Sequence, residues 1–292
     1  MKRAFATAAF VVVVGAACAP ELEDHGLRID LSPGMLASEG GVDVEVPAAG
    51  LRVWSELIFA DGTTKTLDVL TNDDGLVHVI HEDAGVSSSA GVGSPTPCSD
   101  RASSLMGHHW EQRFDWWFRA GSTPGEVSVA NAELALRRAT TNITRTKNSC
   151  GLEDQVTATQ LFQGRTTTAT QIRTSGGCNA GDGKNVVDFG DLPAGVLGVA
   201  CVWSFSDGRA AESDVRLNKA DFSWTTATGS GCGNRYDIES VMTHERGHTF
   251  GLGHVDESSH GRLTMSTQIN GACQGAERTL GRGDVDALRA LY

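Results

Sequence analysis

The sequence predicts an α+β fold in which a small β-rich module precedes a larger domain of mixed strands and helices. Residues 21–83 show apolar and polar side chains alternating with period two in short bursts, which is typical of strands. Beyond residue 98, strand-like runs are separated by segments whose apolar residues recur at helical spacing. With 292 residues, 40% of them hydrophobic, the chain can bury one sizeable core or two smaller ones.

The first residues, 1–18, are predicted to be an export signal. Lys2 and Arg3 precede a run of small and apolar residues that is shorter than the ~20 residues a membrane-spanning helix needs. The run ends directly before Cys18 and resembles a bacterial lipobox, in which the cysteine becomes the lipidated first residue. Gly15 lies three residues before this cysteine, where a lipobox usually has a leucine-like residue, so ordinary cleavage at a small-residue site stays the alternative. Either route exports the protein, to the outside of the cell or to the outer face of a bacterial membrane.

The cysteine count agrees with export. Setting Cys18 aside leaves six cysteines, an even number that indicates disulfides in an oxidising compartment. Six cysteines allow fifteen pairings, and the sequence cannot choose among them. We favour pairs between sequence neighbours, which are Cys98 with Cys150, Cys178 with Cys201, and Cys232 with Cys273.

Three units follow the signal. Strand-like stretches such as "VDVEV" and "LRVWSELIFADG" are broken by Gly-Gly and Asp-Gly turns, so residues 19–83 are predicted to form a small β-rich module or a pro-segment. Residues 84–97 are rich in Ser, Gly and Pro, which is typical of a linker. Residues 98–292 form the larger domain.

The larger domain opens with a strand and a helix. Phe114, Trp116 and Phe118 alternate on one face of "RFDWWF", which predicts a strand with one buried side. The segment Thr123-Pro124-Gly125-Glu126 has the form of a capping box, and an apolar stripe after it predicts a helix to about residue 143. Strand candidates follow over residues 185–190, 196–203 and 210–218, and "GDVDALRALY" predicts a closing helix capped near Asp284.

A histidine-rich segment, "HERGHTFGLGH", carries the chemistry. His244 and His248 lie four residues apart, so on a helix both imidazoles face one point and can bind a zinc ion. Glu245 can reach a water on that ion without being a ligand. Gly251 can adopt a positive φ that ends the helix and returns His254 to the metal. Three histidine ligands leave a fourth coordination position open, as in catalytic zinc sites.

This motif resembles the metzincin signature of zinc endopeptidases, especially that of the matrixins. The strand candidates and the closing helix over residues 98–292 are similar to a matrixin catalytic domain, which implies a twisted mixed sheet, two long helices, a zinc cleft and a C-terminal helix. The resemblance also implies a Met-turn beneath the metal, for which Met265 in "RLTMST" is the candidate.

The resemblance implies a zinc-dependent endopeptidase that acts on a polypeptide substrate. Zinc would activate a water, and Glu245 would serve as the general base. The strand near residues 196–203 would be the edge strand that pairs with extended substrate. The alternative is a non-catalytic surface protein that binds a partner through the same scaffold, but such a protein has no use for the carboxylate of Glu245.

The sequence argues against several other ligands and partners. Cys98 could act as a thiolate switch on zinc, but this would leave one cysteine unpaired, so we favour a disulfide. Acidic glycine turns such as "NAGDGKN" could suit calcium, but they are typical of ordinary turns, and we predict only one zinc ion. A net charge of -12 argues against nucleic-acid binding. We expect a monomer, attached to a membrane if Cys18 is lipidated.

Overall fold

The fold is built on one large sheet flanked by helices. The computed structural model describes residues 31–84, 94–269 and 271–292. The strands are β1 Leu36–Glu39, β2 Val42–Glu45, β3 Leu51–Phe59, β4 Thr64–Thr71, β5 Val77–Ala84, β6 Ser104–Leu105, β7 Phe114–Phe118, β8 Gln160–Arg165, β9 Asn185–Gly190, β10 Val196–Phe205, β11 Ala210–Asn218, β12 Trp224–Thr225, β13 Tyr236–Asp237 and β14 Leu252–Gly253. The α-helices are α1 Val129–Thr144, α2 Ile238–Thr249, α3 Glu257–His260 and α4 Arg282–Leu291.

Some predictions concern residues outside these ranges. The export signal and the lipidation of Cys18 lie outside the described residues, as does most of the predicted linker at 84–97. Across the described ranges, no helix is long and apolar enough to cross a membrane.

Eight strands make the central sheet, in the order β5-β4-β3-β10-β11-β9-β7-β8. The strands from β5 to β11 pair antiparallel, whereas β11, β9, β7 and β8 pair parallel. The predicted α+β class with a large mixed sheet is confirmed.

The N-terminal strands continue the same sheet as the larger domain. β3 pairs antiparallel with β10 along its length, from Leu51 opposite Phe205 to Phe59 opposite Val196. β10 is therefore an interior strand, and the prediction that residues 196–203 form a free edge is wrong for this structure. The sequence could not indicate this pairing, because the two strands lie far apart along the chain.

Two apolar cores explain why the sequences of β3 and β10 are nearly continuous apolar runs. On one face of the sheet, α1 and α2 pack over residues that include Ile58 and Ala200. On the other face, the β1–β2 hairpin packs Val42 and Val44 over residues that include Leu57. A strand covered on both faces needs apolar side chains at successive positions, not at alternate ones.

The structure contains three disulfides, which join Cys98 to Cys150, Cys178 to Cys201 and Cys232 to Cys273. These are the pairs between sequence neighbours. Because Cys98 is bonded to Cys150, it has no free thiolate to act as a switch.

The elements leading to α1 differ in part from the sequence prediction. Phe114, Trp116 and Phe118 are buried on one side of β7, as their alternation predicts. The helix, however, begins after Ser128, whose hydroxyl accepts a hydrogen bond from the amide of Asn131 at 3.2 Å. The capping box predicted at residues 123–126 is wrong. The carboxylate of Glu126 instead accepts the amide of Trp224 at 2.8 Å, a distant contact that outweighs the local pattern.

We expect Gly177→Ala to destabilise the fold, because this glycine is where the N-terminal hairpin meets the larger domain. A Cβ there would overlap the backbone carbonyl of Asp43, and no side-chain rotation can relieve that overlap. A loss of about 1–3 kcal/mol in the free energy of unfolding is expected from denaturant titration. Gly125→Ala is the matched control, since a Cβ at this exposed position meets no neighbour. Equal stability of the two variants would contradict the described docking of the hairpin.

Candidate metal site

Helix α2 and the turn after it deliver three histidines to one point. Asp237 caps the helix by accepting the amide of Ser240 at 2.8 Å, and His244 and His248 follow on the same buried face. Gly251 has φ +92°, and its amide donates to the carbonyl of His248 at 2.9 Å. A Cβ at residue 251 would lie 2.2 Å from the carbonyl oxygen of His108. The predicted helix, glycine bend and returning His254 are all present.

The ring nitrogens of the three histidines converge. The Nε2 atom of His244 lies 3.0 Å from Nε2 of His248 and 3.0 Å from Nε2 of His254. His244 and His248 are fully buried, and the side chain of His254 is 14% exposed.

Backbone carbonyls fix which nitrogen carries the proton. Nδ1 of His244 lies 2.7 Å from the carbonyl oxygen of Thr264, and Nδ1 of His248 lies 2.9 Å from that of Leu252. Because a carbonyl only accepts, each Nδ1 must donate, which leaves a lone pair on each Nε2. Burial lowers the pKa of His244 to about 3 and that of His248 to about 4, so both rings are neutral. Neutral, converging lone pairs fit a bound cation.

Glu56 completes the cluster, although it was not among the residues predicted from the sequence. Its Oε1 lies 3.0 Å from Nε2 of both His248 and His254. The carboxylate is buried, and Oε1 has no hydrogen-bond partner among the described residues. Burial raises the pKa of Glu56 well above its ordinary value. The available signal was an acidic residue inside the apolar strand "VWSELIF", where a charge is costly unless it is paired.

The four residues form the one group among the described residues in which at least three His, Cys, Asp or Glu side chains could hold a metal ion. Their ligand atoms, one each from Glu56, His244, His248 and His254, all lie within 4.8 Å of one another. In the acidic turn considered for calcium, the carboxylate of Asp182 accepts the amide of Lys184 at 3.0 Å and the side-chain amide of Gln171 at 3.1 Å.

Glu245 stands beside this cluster. It is buried on α2, and its Oε1 has no hydrogen-bond partner within the described part of the chain. Burial, and next the nearby charge of Glu56, raise the pKa of Glu245 well above its ordinary value. Gly198 on β10 leaves room for this carboxylate, since a Cβ there would lie 2.4 Å from Glu245 Oε1.

Met265 lies in a buried turn that packs against helix α2. A Cβ on Gly247 of α2 would lie 2.2 Å from the sulfur of Met265, so this helical glycine lets the methionine pack closely. Asp284 holds the turn from α4, because its carboxylate accepts the amides of Thr264 at 3.0 Å and Met265 at 3.4 Å. The carbonyl of Thr264 in turn holds His244. Burial raises the pKa of Asp284 to about 6.

Two residues outside the motif also support the site. His108 is buried, and its Nε2 lies 2.9 Å from the carbonyl oxygen of His248. Burial lowers the pKa of His108 to about 4, so the ring is neutral and donates to that carbonyl. Trp54 on β3 packs its ring 5.2 Å from the ring of His248. No sequence pattern predicted either of these two contacts.

Comparison with known proteins agrees with the fold and the site. Residues 161–292, just under half of the chain, match the family model of the M10 peptidases, described as matrixin. The matched range contains α2, all three histidines and Met265. A comparison with curated proteins found no significant match. The fold, the site and the family match thus support a metzincin- or matrixin-like protein, as the histidine motif predicts.

We expect Asp284→Ala to destabilise the protein, because it leaves the buried amides of Thr264 and Met265 and that of Gly281 without their acceptor. The expected loss in urea titration is about 2 kcal/mol or more. Asp286→Ala on the same helix removes partly exposed ion pairs and should cost at most about 1 kcal/mol. A loss for Asp284→Ala no larger than for this control would contradict the anchoring of the turn.

Proposed function

We propose that the protein is an exported zinc-dependent endopeptidase. The observation that carries this proposal is that three neutral imidazoles converge beside the buried carboxylate of Glu245, whose Oε1 has no hydrogen-bond partner among the described residues. The match to the matrixin model supports a metallopeptidase, and the histidine cluster supports a metal site.

His244, His248 and His254 would hold the zinc ion through their Nε2 atoms. Neutral imidazole nitrogen suits zinc, and the carbonyls at Thr264 and Leu252 orient two of the rings as outer partners of metal-binding histidines do. Zinc, when bound, supplies a Lewis acid that polarises a peptide carbonyl and acidifies water. Met265 would form the floor of the site.

Glu245 would move the proton. Its carboxylate projects from the turn of α2 that also carries His244, so it lies next to the ligands without being needed as one. Its raised pKa suits a group that accepts a proton from water and passes it to the leaving amine. Gly198 keeps the space in front of the carboxylate free of any side chain.

The substrate would be a polypeptide bound in extended form. β10 runs past Glu245, and its backbone could pair with a substrate strand by β-augmentation if β3 were displaced. Cleavage preference would then be set by side chains along β10 and by the segment after Met265.

Export is supported by the three disulfides, which form in oxidising compartments. We propose the domain division at residues 18, 83 and 97, lipidation of Cys18 with membrane attachment, and a monomeric state. N-terminal sequencing of the secreted protein tests the boundary at residue 18 and the lipidation: a blocked, lipidated start at Cys18 supports the anchor, and an unmodified start past Cys18 contradicts it.

A second candidate is a non-catalytic binding protein on the same scaffold. The observation that favours it is that β3 covers β10 along its length. The unpartnered carboxylate of Glu245 favours the enzyme instead, because a buried charge without a role would only destabilise a binding scaffold. Peptidase activity decides between the two.

We expect Glu245→Gln to reduce peptidase activity by at least about 100-fold, because the amide cannot accept the proton. Unfolded casein is incubated with each protein, before and after limited tryptic digestion that is then quenched, with and without phenanthroline. Zinc content by mass spectrometry should stay at the wild-type value. Chelator-sensitive cleavage by the wild type supports the enzyme. Absence of such cleavage in either state, or full activity of the variant, overturns it.

We expect His254→Ala to weaken zinc binding by more than about 100-fold, since loss of a ligand should cost more than loss of an outer partner. Competition against a chromophoric chelator measures the affinity. His260→Ala is the control: this nearby histidine pairs with Asp100 at 3.0 Å and should bind zinc like the wild type. Equal affinities for the two variants would remove His254 from the ligand set.

A further inference from the structure

We propose that the N-terminal strands β3–β5 keep the peptidase latent, with Glu56 as a fourth metal ligand and β3 in the position of the substrate. This inference rests on the proposed function, because it assumes a zinc site that acts on peptides. It assigns a role to residues 51–84 that the motif alone does not indicate.

The buried carboxylate of Glu56 is only partly satisfied. Its Oε2 accepts a hydrogen bond from the hydroxyl of Thr66 at 3.4 Å, whereas its Oε1 has no hydrogen-bond partner among the described residues. A buried carboxylate oxygen without a partner is destabilising, so a native structure retains one only where something compensates for it. Its Oε1 faces Nε2 of His248 and His254 at 3.0 Å, and Nε2 of His248 has no proton to donate, since Nδ1 of that ring is the donor to Leu252. A cation between them satisfies the carboxylate and the imidazoles together.

The number of ligands also supports latency. Three histidines and one carboxylate make four ligands, which closes a tetrahedral zinc site. A closed set is typical of structural zinc, whereas catalysis needs a position for water. While Glu56 is a ligand, Glu245 therefore has no water to act on.

The register of β3 supports its place in the position of the substrate. It runs antiparallel to β10 with Glu56 opposite Ala200 and Ile58 opposite Gly198, the residue that touches Glu245. The other edge of β10 pairs with β11, so β10 has no free hydrogen-bonding edge for a substrate. The same segment thus covers the substrate strand and supplies a ligand.

Residues 51–84 are held to the larger domain by contacts that can be released. It has side-chain anchors outside its own strands, among them Arg52, which donates to the carbonyl of Met106 at 2.9 Å, and Ser55, which donates to that of Gly176 at 3.2 Å. No cysteine occurs between residues 19 and 97, so no disulfide can tie the segment to the larger domain. Its release needs no reduction, only loss of pairing along β10 and of packing in the two cores.

A cleft beside the cluster provides a route for probing it. Its volume is about 410 Å³, and Glu56, Glu82 and His254 line it together with Thr66. A small metal-binding probe can therefore approach the fourth position from this side without unfolding the strands.

The test uses the full chain loaded with Co²⁺, whose visible absorption reports its ligands, and acetohydroxamate as the probe. Wild type is compared with Glu56→Ala, with the nearly isosteric Glu56→Gln, and with Glu82→Gln. The last is the matched control. Glu82 is an exposed carboxylate on β5 that lies opposite Thr66 on β4, and Thr66 in turn lies opposite Glu56 on β3. Circular dichroism and a cobalt stoichiometry of about one per chain establish that each variant folds.

We expect both Glu56 variants to change the cobalt spectrum. They should also bind acetohydroxamate roughly tenfold or more tightly than wild type, because the apparent affinity for the probe rises with the fraction of sites whose fourth position is open. Glu82→Gln should match wild type. Equal probe affinity and identical spectra for wild type and the Glu56 variants would overturn the inference. The outcome does not depend on proteolysis: failure to bind cobalt, or inactivity on casein with an opened site, would count against the proposed function instead.

Discussion

The structure depends on the convergence of three imidazole nitrogens in a buried place. Such an arrangement is repulsive without a cation, so the surrounding elements must hold it against its own tendency to open. α2 sets the spacing of His244 and His248, and Gly251 returns the chain to bring in His254. The carbonyl of Thr264 fixes one ring, and Asp284 holds the turn that contains it. The C-terminal helix α4 is thereby coupled to the metal site.

The sheet contributes to the site from the opposite side. β10 passes Glu245 through Gly198, and β3 adds Glu56 to the cluster while it covers the hydrogen-bonding edge of β10. Both effects come from one antiparallel pairing, so in the proposed latent form a single structural event, the separation of β3 from β10, would open the metal site and free the strand for substrate. A protease exported in this form would be protected from premature action, and no disulfide would hold residues 51–84 in place, because residues 19–97 contain no cysteine.

Local features of the site could be predicted from sequence, and distant ones could not. The spacing of His244, His248 and His254 is set within one helix and one turn, so the sequence contains all the information needed. Glu126 shows the limit of local reasoning: its capping pattern is genuine, but a backbone amide on a distant strand binds its carboxylate. Glu56 lies beyond any local pattern, because its role depends on the register between β3 and a strand more than a hundred residues later.

Anomalous diffraction at the zinc absorption edge, from crystals of the zinc-loaded full chain, tests this account most directly. The account predicts one anomalous peak at the cluster, with the Nε2 atoms of His244, His248 and His254 and a carboxylate oxygen of Glu56 as its ligands, and with β3 paired to β10. A peak elsewhere, no peak, or a zinc ion with water in place of Glu56 while β3 stays paired would contradict it.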